Sequence, residues 1–297
     1  MRIVIAGGSG FLGEPLVRRL LARGDKVAVL SRNPGSVPAG RGVQWDGRTQ
    51  GSWTQEISAA DAIVNLAGEN VGEGRWTDAR KQRLVASRLD ATNALVEALR
   101  KAPPRGRCLV NASAVGYYGA RGDEVLDENG SRGGGFLAEL VELWEGAAQE
   151  ADTLARLVIL RFGVALAGDG GALKKMMMPF KLGVGGPIGN GRQWMSWIDR
   201  DDAVRMVEWA LDRADVRGLY NATAPEPVRN REFTHALGRA LHRPAVFPAP
   251  AFALRLAFGQ MADEMLLGGQ RVIPRRADGE GFLFESRTIE QALARHL

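Results

Sequence analysis

The chain has 297 residues, 45% hydrophobic and 25% charged, a balance that excludes a disordered or fibrous protein and leaves room for one large or two smaller domains. Its net charge of +5 comes from scattered Lys and Arg with no basic run interleaved with aromatics, so nucleic acid is not the expected partner; an anionic cofactor or substrate meets that charge equally well. No apolar run approaches the ~20 residues of a bilayer span, no signal-peptide pattern opens the chain, and the single cysteine, Cys108, excludes an internal disulfide; a cytoplasmic protein away from membranes is expected.

Arg2–Ala6 is a short apolar run with β-branched residues and predicts a buried parallel strand. Gly7-Gly8-Ser9-Gly10-Phe11-Leu12-Gly13 follows. Leu12, Leu16, Val17, Leu20 and Leu21 then recur at helical spacing, and Gly24 lies just past the end. Lys26–Leu30 reads as a second strand, Val43-Gln44-Trp45 as a brief third and Ala62–Leu66 as a fourth. A long helix carries Leu84, Leu89, Thr92, Leu95, Val96 and Leu99 on one face, and Pro103-Pro104 stops it. Arg107–Ala112 is the fifth strand, with Cys108 expected as a buried structural thiol. Leu137, Leu140, Val141, Trp144, Ala148 and Ala151 mark another helix, and Leu157–Phe162 a sixth strand.

This alternation implies a Rossmann-type α/β fold, a doubly wound parallel sheet covered on both faces. Beyond Gly163 the texture changes. Glycine-rich loops at 168–171 and 183–191 flank Met176-Met177-Met178-Pro179-Phe180, Asp201–Leu211 is helical, and Leu219–Ala222 can return to the sheet. Prolines then punctuate short helices to the end. The expected division is a dinucleotide-binding domain, 1–163 plus about 199–223. A smaller mixed α/β lobe, about 164–198 plus 224–297, covers the carboxyl edge of the sheet.

The glycine loop carries the chemistry. Between a strand and an amphipathic helix, Gly7 or Gly8 permits the tight turn, Gly10 admits the pyrophosphate to the backbone, and Gly13 lets the helix pack on the strand. Gly7, Gly10, Phe11, Leu12 and Gly13 therefore form the candidate phosphate site at a helix N-terminus. NAD-preferring sites place an acid about 20 residues past the glycines to bind the ribose 2′-hydroxyl. None lies between Val27 and Asn33; Arg32 and Ser31 stand there instead, suited to a 2′-phosphate, so NADP(H) is expected over NAD(H).

The glycine loop, the turn Asn65-Leu66-Ala67-Gly68, Ser113 and Trp197-Ile198-Asp199-Arg200-Asp201-Asp202 resemble extended short-chain dehydrogenases/reductases. Five blocks narrow the likeness to the atypical NAD-dependent epimerase/dehydratase-like branch with its own small C-terminal domain. They are Ala112–Gly119, Gly170–Leu173, Gly191–Ile198, Tyr220–Pro225 and Gly269–Val272. The resemblance implies NADP(H) held partly by Leu66, Ala67 and Gly68, a nucleotide sugar or other small carbonyl or hydroxyl substrate, and a homodimer paired through the helices around Leu84–Leu99 and Leu137–Ala151. Many relatives carry His where this chain has Asp199, so no imidazole role transfers.

Such reductases carry Tyr-x-x-x-Lys about two dozen residues after the active-site serine, the Lys lowering the pKa of the Tyr that moves the proton. Counting on from Ser113 reaches Phe136-Leu137-Ala138-Glu139-Leu140-Val141, which holds neither. Ser113, Tyr117 and Tyr118 remain as catalytic candidates. Glu145 is either a base or, on its helix, a surface or capping residue. Arg161 is either an anion-binding group or a structural ion pair, and Gln193 and Trp194 are candidates for the far wall of the cleft. Trp194–Trp197 reads as one strand. His235, His242 and His296 have no metal-ligand spacing, so no metal is expected. The sequence thus points to an oxidoreductase or epimerase, with a catalytically silent NADP(H) sensor as the alternative.

Overall fold

The computed structural model describes residues 1–297. In chain order the first half comprises β1 (Arg2–Ala6), α1 (Gly13–Ala22), β2 (Lys26–Ser31), β3 (Arg41–Gln44), α2 (Thr54–Ala59), β4 (Ala62–Asn65), α3 (Asp78–Lys101), β5 (Cys108–Ala114), β6 (Val125–Leu126), α4 (Phe136–Gln149) and β7 (Arg156–Phe162). The second half comprises β8 (Val164–Ala167), α5 (Gly171–Lys181), β9 (Trp194–Met195), β10 (Trp197–Asp199), α6 (Arg200–Asp212), β11 (Gly218–Ala222), β12 (Val228–Arg229), α7 (Asn230–Leu241), α8 (Ala251–Phe258), β13 (Arg271–Val272), α9 (Arg275–Gly279) and α10 (Ile289–His296).

Seven strands form one parallel sheet in the order β11-β7-β5-β4-β1-β2-β3, the doubly wound arrangement. Side chains alternate across it. Ile3, Ile5, Val27, Val29, Val110 and Leu160 pack with α1 and α6, whereas Val4, Leu30, Ile63, Leu109, Leu157 and Ile159 pack with α2, α3 and α4. The chain reverses at the carboxyl ends of β1 and β4, which opens the crevice where such sheets bind ligands.

Local signals explain the elements. Thr77 caps α3 by accepting from the Arg80 amide at 3.2 Å, and the α3 C-cap Ala102, extended as a residue before proline must be, hands over to Pro103-Pro104. Helix α4 has no cap of its own. Its first amides, Phe136 and Leu137, donate to the Glu264 carboxylate at 3.0 and 2.9 Å, a partner far along the chain. A third core of Leu166, Leu173, Phe180, Trp197, Phe233 and Leu293 gathers the later elements, and Glu264 sits in a π-helical turn, Ala262–Leu267.

Three expectations shift. The third strand begins at Arg41, and Trp45 lies beyond it, buried with its ring 5.5 Å from that of Trp53. Helix α2 joins the expected elements, too short for a periodic apolar face and with one buried residue, Ile57. Trp194–Trp197 is not one strand: β9 runs antiparallel to β12 and β10 parallel to β8. Ser196 sits at the break, its hydroxyl donating to the Gln270 carbonyl at 2.7 Å and accepting from the Val272 amide at 2.9 Å. No helix is long and apolar enough to cross a membrane.

Candidate active site

The glycine loop packs as its spacing demands. Gly7 has φ +80°, a backbone conformation L side chains rarely adopt, and a Cβ there would lie 2.6 Å from the Leu66 carbonyl oxygen. A Cβ on Gly13 would lie 2.1 Å from the Gly7 carbonyl oxygen, so only glycine lets α1 start this close to β1. The Gly10 amide donates to Gly7 at 3.0 Å, and the Phe11, Leu12 and Gly13 amides have no protein acceptor. Three free N–H groups at a helix N-terminus, beside a backbone stripped of side chains, fit a pyrophosphate.

The neighbouring loop is fixed from below. Buried Asn65 donates to Asn111 at 2.7 Å and to Thr92 at 2.9 Å, while its carbonyl accepts from the Ala67 amide at 3.2 Å. Leu66, Ala67 and Gly68 are thereby held against the glycine loop. Beneath Gly68, burial pulls the Arg88 guanidinium down to about 10 while it donates to the Glu69 carbonyl. At the end of β2 the Ser31 hydroxyl accepts from the Asn33 amide at 3.1 Å, and the exposed Arg32 side chain has no acidic partner. These residues fit NADP(H): unpaired amides for the pyrophosphate, and a free guanidinium with no competing acid for the 2′-phosphate.

The polar heart of the site is one row of the sheet. Ser113, Arg161 and Asn221 are register neighbours on β5, β7 and β11, all buried near the strands' carboxyl ends. Glu145 reaches them from α4. The Ser113 hydroxyl donates to its Oε1 at 2.5 Å, and Arg161 grips both carboxylate oxygens through Nε and Nη2 at 2.7 Å each. The third Arg161 nitrogen, Nη1, donates to the Tyr118 hydroxyl at 2.9 Å, which in turn donates to Asn221 Oδ1 at 2.8 Å. Burial lowers the Arg161 pKa, but its Glu145 hydrogen bonds outweigh that and hold it above the ordinary value.

This geometry sorts the sequence candidates. Tyr118 is fully buried, its hydroxyl saturated and its pKa raised by burial against the opposing pull of Arg161; it clamps the arginine rather than facing a cleft. Tyr117 is half-buried, its ring 3.5 Å from the Arg161 guanidinium, and its hydroxyl has no protein partner. Arg161 forms the structural ion pair, its donors engaged by Glu145 and Tyr118, not the free anion-binding group. The surface reading of Glu145 is corrected: it is buried. The signal lay in the helical spacing, for Glu145 stands four residues after Val141 and joins the inward face that Val141, Trp144 and Ala148 make.

On the far side, Gln193 donates to the Ile188 and Leu266 carbonyls at 3.1 and 2.7 Å, so its amide holds loops together. Trp194 is flanked by Arg229 and Arg271, and its indole donates to Asp123 at 2.7 Å. Cys108 is buried, its thiol pushed up to about 11. Asp199 caps α6 and accepts from Ser286. No group of three or more His, Cys, Asp and Glu side chains is placed to hold a metal ion.

Residues 3–133 match the NAD dependent epimerase/dehydratase family, and residues 249–295 match a domain of unknown function, DUF1731. An epimerase family protein of Mycobacterium leprae is 42% identical over 296 residues, covering 98% of this chain and 94% of the relative. The chain belongs to the NAD-dependent epimerase/dehydratase family. The structure of human epimerase family protein SDR39U1 with NADPH matches with a TM-score of 0.89 at 36% identity, covering 100% of this chain and 99% of that one. The nucleoside-diphosphate sugar epimerase of Corynebacterium glutamicum matches with a TM-score of 0.81 at 32% identity, covering 99% of this chain and 57% of that one.

Within this epimerase family frame, the first turns of α4 present Ala138, Leu140 and Val141 to the interior, so no phenol or ammonium stands where the reductase pattern places them. The segment matched as DUF1731 reaches back into the site: Glu264 caps α4, and Gln270 donates to the Val115 carbonyl at 2.8 Å, two residues past Ser113.

Proposed function

We propose that this protein is an NADP(H)-dependent oxidoreductase or epimerase of the atypical short-chain type, acting on a small carbonyl or hydroxyl substrate such as a nucleotide sugar. Ser113 and Glu145 handle the proton in place of the missing Tyr-x-x-x-Lys pair. The observation that carries this reading is the 2.5 Å hydrogen bond from Ser113 to Glu145 at the carboxyl edge of the sheet. Bound in the glycine loop, NADP(H) supplies the hydride donor or acceptor.

Because the Ser113 hydroxyl donates to Glu145, its oxygen keeps lone pairs for a substrate hydroxyl. When that hydroxyl is oxidised, its proton passes to Ser113 Oγ and the serine's own proton passes to Glu145; reduction of a carbonyl runs the transfer backwards. Arg161 fixes the carboxylate bidentately, Tyr118 and Asn221 fix Arg161, and Tyr117 offers an unpartnered hydroxyl as a second donor.

Purified protein loaded with NADPH and offered nucleotide sugars, aldehydes and ketones tests this through loss of nicotinamide absorbance. Product analysis runs beside it, because a redox-neutral epimerisation regenerates the cofactor. Turnover that Ser113→Ala abolishes is the expected result. Tight cofactor binding with no turnover across the panel, together with a reproducible protein partner, would establish the second reading, a catalytically silent NADP(H) sensor, which the absent Tyr and Lys favour.

A further inference from the structure

Most of the large hydrophobic side chains that are more than half exposed in this protein crowd one rim. Leu182, Val184, Val246, Phe247, Phe252 and Leu256 are 54–77% exposed, although aliphatic and aromatic groups of this size are normally covered. They come from three segments that touch. The Phe247 amide donates to the Gly185 carbonyl at 3.1 Å and the Ala249 amide to the Pro187 carbonyl at 2.9 Å, which lays 246–249 along 184–187. Helix α8 begins two residues later and has no buried residue at all. One loop ties α5 to α8, since Lys175 donates to the Gly72 carbonyl and Arg75 to the Leu256 carbonyl, each at 3.3 Å.

Basic residues crowd these tips, although Arg239 is paired with Glu290 at 3.0 Å and Arg255 with Asp263 at 2.8 Å. From Asn230 to Phe258 the sequence carries Arg231, Arg239, Arg243 and Arg255 with His235 and His242, against a single acid, Glu232. Arg239, Arg243, His235 and His242 ring a depression of about 640 Å³ beside Ala245, immediately before Val246. Lys174 and Lys181 on α5 are exposed, and neither they nor Arg243 has an acidic partner.

We propose that this rim is a docking face for an anionic lipid surface. Protruding Phe, Leu and Val tips enter the headgroup–acyl boundary while the surrounding Lys and Arg meet lipid phosphates, the pairing of apolar insertion and basic attraction that holds monotopic proteins to membranes. Contact is peripheral, since no helix is built to cross. A symmetric pairing of two copies is disfavoured, because it would bring the unpaired cations Lys174, Lys181 and Arg243 of both copies together. The face is assembled from loop tips and one short helix from which Phe252 and Leu256 stand out into solvent, a shape suited to shallow insertion rather than to seating a partner's helix.

Co-sedimentation of the full chain with phosphatidylcholine vesicles, with and without phosphatidylglycerol, tests it. Binding is expected only to vesicles containing phosphatidylglycerol, weakening as salt rises. The variant Lys181→Glu/Arg243→Glu should lose roughly fivefold affinity per cation removed. Phe252→Glu/Leu256→Glu should abolish binding while leaving the circular dichroism spectrum and thermal transition of the parent. A protein that stays in the supernatant with both vesicle types overturns the proposal in favour of a soluble acidic partner. A monomer–dimer shift with concentration that Phe252→Glu/Leu256→Glu removes overturns it in favour of self-association. Binding to phosphatidylcholine alone, indifferent to Lys181→Glu/Arg243→Glu, overturns it too.

Discussion

Arg32 is the simplest residue to interrogate. Its exposed guanidinium has no acidic partner, so removing it should leave the apoprotein's stability unchanged. Arg32→Ala should weaken NADPH roughly 10- to 100-fold, the worth of a charged hydrogen bond, and leave NADH unchanged; isothermal titration with both measures it. Glu145 is the opposite case. It and Arg161 are almost wholly buried, so Glu145→Ala strands a cation inside the protein and should cost about 3–5 kcal/mol in urea unfolding. Adding Arg161→Met should return part of that loss, which a purely local packing defect would not allow. Glu128 predicts a pH effect. Burial raises its pKa above the ordinary glutamate value even though Oε1 accepts from the Asn221 and Arg276 amides, and Oε2 has no partner. The folded state therefore holds this proton more tightly than the unfolded state, and the stability gained from it at low pH is lost as pH climbs from the ordinary value through the raised one. Glu128→Gln should flatten that stretch of the stability–pH curve. The candidate residues were named by the sequence, but their partners were not, because a hydrogen bond between Ser113 and Glu145 depends on how α4 lies across β5 and β7.

At the scale of elements, α4 shows what a linear reading can and cannot supply. Its inward face was legible from Leu140, Val141, Trp144 and Ala148, since helical spacing is local. Its start was not. Gly135 offers no side chain, and the capping carboxylate belongs to Glu264, in sequence 128 residues from Phe136. Glu264→Ala should cost about 1 kcal/mol, as loss of an N-cap does, and loosen the first turn of α4. Amide hydrogen exchange at Phe136 and Leu137 would show it; unchanged protection there would refute the cap. The strand expected across Trp194–Trp197 failed for a similar reason. Alternation of large residues gave the right local conformation, but Ser196, bonded to Gln270 and Val272, divides the stretch between two different partners.

For the whole molecule, the alternating strands and helices revealed the parallel sheet because each βαβ unit announces itself within a short span. The later segments are harder to read, since they fold onto what precedes them. Ala277, Phe282 and Phe284 belong to the same core as β1 and α1, while Ile289 and Leu293 close the third core. A chain ending at residue 248 should therefore expose apolar surface on two cores at once and lose its cooperative thermal transition in calorimetry, whereas an independent appendage could be removed without that effect.

The distant cap on α4 also bears on biosynthesis. A chain made from its N-terminus has β1 through β7 in hand well before Glu264 and Gln270 emerge. Until then, the helix carrying Glu145 lacks acceptors for its first amides. The glycine loop thus has its strand and helix early, while the cap of α4 and the core that Ala277, Phe282 and Phe284 complete wait for the end of the chain.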